Sequence, residues 1–242
     1  MRYAIISDIH SNLTALQEVL KVIAVEQIDR VICLGDIVGY GPDPNACVEL
    51  VQQHCAVIIT GNHDFACIES SELFYFNHFA KQAIEWTVTK IADEHLIFIS
   101  NLPFEAKIET IRFVHANPYE PRSWDYILSL DEAIYNFSKF DEQVCFIGHS
   151  HQPIIYIENK LGRYAIKHAR QLQLEPESRY IINVGSVGQP RDGNRDSAFG
   201  IFDSSTGMFE LRRVRYNIQA TYDKMIAAGL PGFLGERLFQ GR

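Results

Sequence analysis

Val31-Ile32-Cys33-Leu34-Gly35-Asp36 sets four apolar residues before a glycine and a carboxylate. A short apolar run closed by a turn residue is the pattern of a buried strand. Such a strand delivers Asp36 to its carboxyl end, where open α/β sheets build their sites. The design recurs along the chain. Residues 3–6 lead into Ser7-Asp8-Ile9-His10, and residues 56–59 into Thr60-Gly61-Asn62-His63-Asp64. Residues 111–114 lead into His115, and residues 144–147 into Gly148-His149-Ser150-His151. Five apolar runs that end in Asp, His or Asn are expected to converge on one two-metal site, with Asp36 shared between the metals.

The residue types explain that expectation. A carboxylate has two oxygens and can bridge two cations. Imidazoles and a carboxamide oxygen complete spheres suited to Mn, Fe, Zn, Co or Ni, rather than to Ca or thiolate-bound Zn. In an extended segment residues i and i+2 point the same way, so Asp8 and His10 would face one metal. Two metals roughly 3.5–4 Å apart can hold a bridging hydroxide and a phosphoryl oxygen, and so favour in-line displacement at phosphorus. His63, directly after Asn62, is placed to protonate the leaving oxygen as general acid, because imidazole titrates near neutrality.

Composition limits the alternatives. The 242 residues are expected to form a single α/β domain spanning 1–242. The chain is 47% apolar and 21% charged, which is globular rather than disordered. A net charge of −8 argues against extended nucleic-acid binding. A small phosphorylated substrate, including a nucleotide, remains compatible because bound metals reverse the local sign. The five cysteines are odd in number and form no C-x-x-C, so they read as reduced thiols in a cytoplasmic protein. The longest apolar run, residues 55–59, is far too short for a membrane span, and no signal-peptide pattern precedes it.

Taken in order, Ser11 or Asn12 caps a helix bearing Leu13, Leu16, Leu20 and Ile23. Asp43-Pro44 forms a cap and first position for a second helix to about residue 53. With the strands this gives β-α-β-α-β and a mostly parallel sheet. Residues 65–79 hold five aromatics, and a helix is predicted over about 77–92. The aromatics read either as the core face of that helix or as a wall beside the site that stacks on a base. Two strands are predicted near 105–109 and 111–114, then a long loop over 116–126 carrying Tyr119, Arg122 and Trp124. Ser129 and Glu132 form a capping-box pattern for a helix to about residue 139. From Ile154 short strand-like runs alternate with turns, read as an antiparallel meander making a second sheet packed on the first. Residues 183–193 form a Gly-rich loop within it, and Asn217 caps a last helix that stops before Gly229.

These motifs together resemble the calcineurin-like metallophosphoesterases, closest to the small prokaryotic branch of predicted phosphoesterases. The matching residues are 7–12, 35–45, 61–64, His115, 148–151 and 183–193, so the likeness runs to about residue 216. The resemblance implies a four-layer α-β-β-α sandwich of two mixed sheets flanked by helices. It assigns Asp8, His10, Asp36 and His151 to one divalent metal ion and Asp36, Asn62, His115 and His149 to the other. It gives His63 the general-acid role, with Asp64 orienting it. Many members carry an acid and an arginine after the G-D motif, where this chain has Gly39 and Tyr40. In the protein phosphatase branch that arginine helps bind phosphate, which leaves Arg122, Arg191 or Arg195 to do so here, with Asn12 and Tyr40 as further candidates near the site. The implied activity is metal-dependent hydrolysis of a phosphodiester, a phosphomonoester or a dinucleoside polyphosphate. The alternatives are a protein or small-metabolite phosphatase and, in another class, a non-catalytic binding scaffold. A scaffold has no need for a complete ligand set plus a leaving-group acid, and every such position is filled.

Overall fold

The computed structural model describes residues 1–242. The first half alternates strand and helix: β1 (Arg2–Ile6), α1 (Leu13–Val25), β2 (Arg30–Cys33), α2 (Pro44–His54), β3 (Val57–Ile58), α3 (Asn62–Ala66), α4 (His78–Val88) and α5 (Asp93–Ser100). Then follow β4 (Glu105–Ile108), β5 (Ile111–Val114), α6 (Leu130–Phe137) and β6 (Val144–Ile147). The last part holds β7 (Ile154–Glu158), β8 (Tyr164–Lys167), β9 (Gln171–Gln173), β10 (Arg179–Asn183), β11 (Ser197–Asp203), β12 (Met208–Val214), α7 (Ile218–Ala227) and α8 (Gly232–Glu236).

Two six-stranded mixed sheets result, in the orders β3-β2-β1-β11-β12-β9 and β4-β5-β6-β10-β7-β8. The strand period of two explains the layering. Tyr3 and Ile5 of β1 point between the sheets, where they join Phe113, Phe146, Ile182 and Phe202. Ala4 and Ile6 point the other way, onto Leu16, Val19 and Ile23 of α1 and Val48 of α2. On the far face, Cys145 and Ile147 of β6 pack against Ala133 and Phe137 of α6. The order is helix, sheet, sheet, helix, the sandwich that the resemblance implies.

Three expectations need correction. The late meander does not form a sheet of its own. β7, β8 and β10 complete the second sheet, while β11 runs antiparallel to β1 and brings β12 and β9 into the first. Burial of Tyr3 and Phe202 in one apolar layer accounts for that pairing across the length of the chain. The helix predicted over 77–92 breaks at Thr89, and α5 follows from Asp93. Asp43 makes no side-chain cap for α2; its carboxylate instead accepts from Lys224 of α7 at 2.9 Å. No helix is long and apolar enough to cross a membrane.

Candidate active site

The loops that follow β1, β2 and β6 turn sharply. Asp8, His10, Asp36, His149 and His151 all have positive φ, between 50° and 65°. Such backbone costs non-glycine residues energy and persists only where the surroundings over-determine it. Here they do. Past the strand ends, the amides of Asp8, His10 and Ser11 donate to the carbonyls of Gly35, Asp36 and Ile37 at 3.1, 2.9 and 2.9 Å. Asp8-x-His10 is therefore not extended, as its spacing suggested; two left-handed residues aim both side chains inward. Gly61 packs so closely on the Asp36 loop that a Cβ there would lie 2.1 Å from Asp36 Oδ1.

Three of the imidazoles have fixed tautomers. Nδ1 of His10 donates to the Val38 carbonyl (3.2 Å), Nδ1 of His115 to Leu34 (2.8 Å) and Nδ1 of His151 to Gln189 (2.6 Å). A neutral ring that donates from Nδ1 has only a lone pair at Nε2. Those lone pairs meet. His10 Nε2 and His151 Nε2 are 3.0 Å apart, and His115 Nε2 is 3.2 Å from both Asn62 Oδ1 and His149 Nδ1. Asp8 Oδ1 lies 3.3 Å from His151 Nε2, and Asp36 Oδ2 lies 3.4 Å from His115 Nε2 and 3.6 Å from His10 Nε2. His149 Nε2 is buried without a partner. Acceptors converging on acceptors repel one another unless a cation lies among them. Two groups can hold one: Asp8, His10, Asp36 and His151, and Asp36, His115 and His149, with Asp36 in both. The nitrogen and oxygen donors, with no thiolate, fit the divalent ions that the resemblance implies.

Without a cation, protons carry the imbalance. Burial, then the neighbouring Asp36 charge, raises the Asp8 carboxyl to about 7. Burial disfavours a charged His115, yet the Asp36 and Asp8 carboxylates and the Leu34 carbonyl together outweigh it and lift the ring to about 9. Burial likewise works against an ionised Asp36, but His115 and His63 hold it well below the usual range. Burial pushes His10, His149 and His151 well down, so they are neutral donors.

The remaining candidates separate. His63 sits edge-on to His10 (4.7 Å between centroids) and Phe76 (4.9 Å), and its ring lies 4.4 Å from Tyr40. Its Nδ1 is buried without a partner against Gly39. Burial pushes the ring down to about 4, not near neutrality as the sequence reading assumed. Asp64 does not bond to the His63 ring. Its carboxylate accepts from the amides of Val38 (3.0 Å) and Gly61 (3.1 Å) and so joins the two loops that flank His63. Asn12 is braced: it caps α1 through Ala15, donates to Gly188 and accepts from Thr221. Those bonds tie the Asp8-His10 loop to α1 and α7, and one N–H of its Nδ2 is still free. Arg191 bonds Gln189 Oε1 at 2.9 Å, stands over the Tyr40 ring and has no carboxylate partner. Arg122 lies over Phe104 at the mouth of a cavity, whereas Arg195 is exposed beside a separate hollow with Arg215 and Phe239.

That cavity, about 450 Å³, opens beside His63, Asn62 and His149. Tyr75, Phe76, Trp124 and Tyr126 give it aromatic walls. Tyr126 stacks on His149 at 4.1 Å, a contact that the sequence signalled only by the density of aromatics in the 116–126 loop.

Residues 1–207 match the calcineurin-like phosphoesterase superfamily domain. A protein of Methanocaldococcus jannaschii is 41% identical over 244 aligned residues, covering 99% of this chain and 98% of the relative. The crystal structure of a metallophosphoesterase from Sphaerobacter thermophilus superposes with a TM-score of 0.90 at 40% identity, covering 100% of this chain and 99% of that one. A hypothetical protein of Pyrococcus horikoshii shares the fold at TM-score 0.81 and 18% identity, covering 100% and 98%. The fold, the strand-end Asp/His cluster and these likenesses agree: the chain belongs to the calcineurin-like phosphoesterase superfamily, a metal-dependent family of phosphoric ester hydrolases.

Proposed function

We propose that this chain, acting as one domain, hydrolyses small phosphate esters with two divalent ions. Asp8, His10, Asp36 and His151 hold one ion, and Asp36, Asn62, His115 and His149 hold the other, drawn from Mn, Fe, Zn, Co or Ni. The observation that carries this reading is the set of tautomer-locked lone pairs, above all His10 Nε2 facing His151 Nε2 at 3.0 Å. When bound, such ions supply Lewis acidity at a phosphoryl oxygen and an acidified water.

The chain's own residues do the rest. Arg191, with no carboxylate partner, binds the outer phosphate oxygens beside Tyr40. His63 delivers a proton to the leaving oxygen from Nε2, the nitrogen not sealed against Gly39. A neutral ring can do so only after an arriving anion has raised its proton affinity, which ties protonation to substrate binding. Asp64 serves that acid indirectly, by fixing the loops on either side of it. The substrate is a phosphodiester, a phosphomonoester or a dinucleoside polyphosphate small enough for a cavity of about 450 Å³. Five free thiols fit a cytoplasmic setting.

The test is hydrolysis by metal-free protein reloaded with Mn²⁺, comparing bis-nitrophenyl with mono-nitrophenyl phosphate. Metal-dependent turnover is expected, and the ratio reads diester against monoester preference. No turnover with Mn²⁺, Fe²⁺, Co²⁺, Ni²⁺ or Zn²⁺ would refute the reading.

A further inference from the structure

The cavity beside His63 has a composition that phosphoryl chemistry alone does not need. On one side the 3₁₀ turn Ser70–Tyr75 buries none of its residues, yet it ends in Phe74 and Tyr75, 87% and 79% exposed. Large aromatic surface left in water at the rim of a site calls for an occupant. Phe76 is explained without one, since it packs on His63 and the core. Phe74 and Tyr75 pack edge to face on each other, and Tyr75 lines the cavity. Trp124 lines the same cavity, held at φ 58° and in ring contact with Phe65, Phe104 and the edge-on His115. A bulky residue in that conformation is a genuine outlier and marks a position held for a purpose. Arg122 stands at the mouth with its guanidinium 4.2 Å over Phe104 and no ion pair or hydrogen bond of its own. Glu72 shares the rim, so the cavity is no general anion trap. Discrimination must come from the aromatic faces.

We infer that this cavity holds the leaving group and that the leaving group is a nucleotide. Its planar base stacks on Tyr75 and Trp124, and its phosphate lies by Arg122. The inference rests on the hydrolase reading above for the direction of the reaction, because the buried His63 lines the same cavity. In the step, water's oxygen bonds to phosphorus and the P–O bond to the nucleotide breaks. The bond pair stays on the nucleotide's oxygen, which takes one of water's protons through His63; the other proton leaves with the phosphoryl product. The volume, about 450 Å³, lies in the range of ~300–1,000 Å³ usual for small-molecule sites.

The experiment compares AMP with ribose 5-phosphate, which share the phosphate and differ in the base. Their affinities are measured calorimetrically on the full chain in chelator, where nothing is turned over. They are measured again as inhibition constants against bis-nitrophenyl phosphate hydrolysis by the Mn²⁺-loaded chain. AMP should bind about five- to hundred-fold tighter in both, the range that one stacked base supplies. Tyr75→Ala, at a position too exposed to disturb folding, should shrink that ratio several-fold while leaving ribose 5-phosphate affinity in place. Arg122→Gln should weaken both ligands and preserve the ratio. Equal affinities in the wild-type chain, or an unchanged ratio in Tyr75→Ala, would overturn the inference. Selective AMP binding without any turnover would instead overturn the hydrolase reading and leave the cavity's occupant standing.

Discussion

Asn183→Ala should unfasten the site without touching a metal donor. Asn183 ends β10 and is buried behind the Gly148-His149-Ser150-His151 loop. Its Nδ2 donates to the Gly148 carbonyl and to Ser150 Oγ, and its Oδ1 accepts from the Gly185 amide at 2.9 Å. Three bonds at ~1 kcal/mol each, plus a Gly185 amide left buried and unpaired at ~1–3 kcal/mol, predict a loss of about 4–6 kcal/mol. The larger consequence is local. His149 and His151 sit at φ 65° and 60°, conformations that the loop abandons when its anchor goes. Urea unfolding in chelator reads the stability loss apart from metal binding, and calorimetric Mn²⁺ titration reads the site. Asn183→Asp is the volume-matched control. It keeps the Gly185 bond but sets an oxygen against the Gly148 carbonyl, so it should be no better tolerated. A loss below ~1 kcal/mol with unchanged Mn²⁺ affinity would show that the loop is held by something else.

Other perturbations address other parts. His63→Ala should slow esters with poor leaving groups by ~10²–10⁴ and activated nitrophenyl esters far less, with metal content unchanged; equal slowing of both classes in steady-state assays would remove the acid role. Gly39→Ala should mimic it, because the new Cβ would lie 2.4 Å from His63 Nδ1 and 3.1 Å from its Cγ; retained turnover of poor-leaving-group esters would contradict this. Ser129→Ala, which opens the capping box of α6, should cost ~1 kcal/mol in thermal or urea unfolding. The amides of Leu128 and Ser129 hold the Glu132 carboxyl below its usual value, so its contribution is present above pH 4.5 and fades as pH falls through the lowered value. For the metal-free chain the sign reverses. Burial raises Asp8 to about 7, so its contribution is fully present below the ordinary carboxylate range and is lost as pH rises through 7. The gap in Tm between Mn²⁺-loaded and metal-free protein should therefore widen from pH 5 to pH 8, and a constant gap would contradict the buried, cation-starved site.

The site was legible in sequence because its donors follow directly on apolar runs. Strand pairing in register, Ile6 against Cys33 and Asn183 against Ile147, then brings those ends together. What spacing could not convey was backbone hand. Asp8 and His10 look like an extended pair, and only the cross-loop bonds to Gly35 and Asp36 show why both are left-handed. Asn12 lies near the motif, and its three partners, Ala15, Gly188 and Thr221, are spread too far along the chain for spacing to reveal. Long-range pairing was equally hidden. Nothing local in β11 tells it to join β1 rather than β10, since that choice is made by the apolar layer between the sheets. The aromatic segment divides between its two readings: Phe76 packs on the core, while Phe74 and Tyr75 stand in solvent.

The most direct test of the two-ion centre is the number of Mn²⁺ ions retained per chain after dialysis, measured by elemental analysis together with turnover for wild type and Asp36→Asn. The shared position of Asp36 in both donor groups predicts two ions in the active wild-type chain. It also predicts loss of both tight sites, and of turnover, in Asp36→Asn. A fully active chain holding one ion or none, or an Asp36→Asn chain that keeps two ions and full activity, would contradict the account.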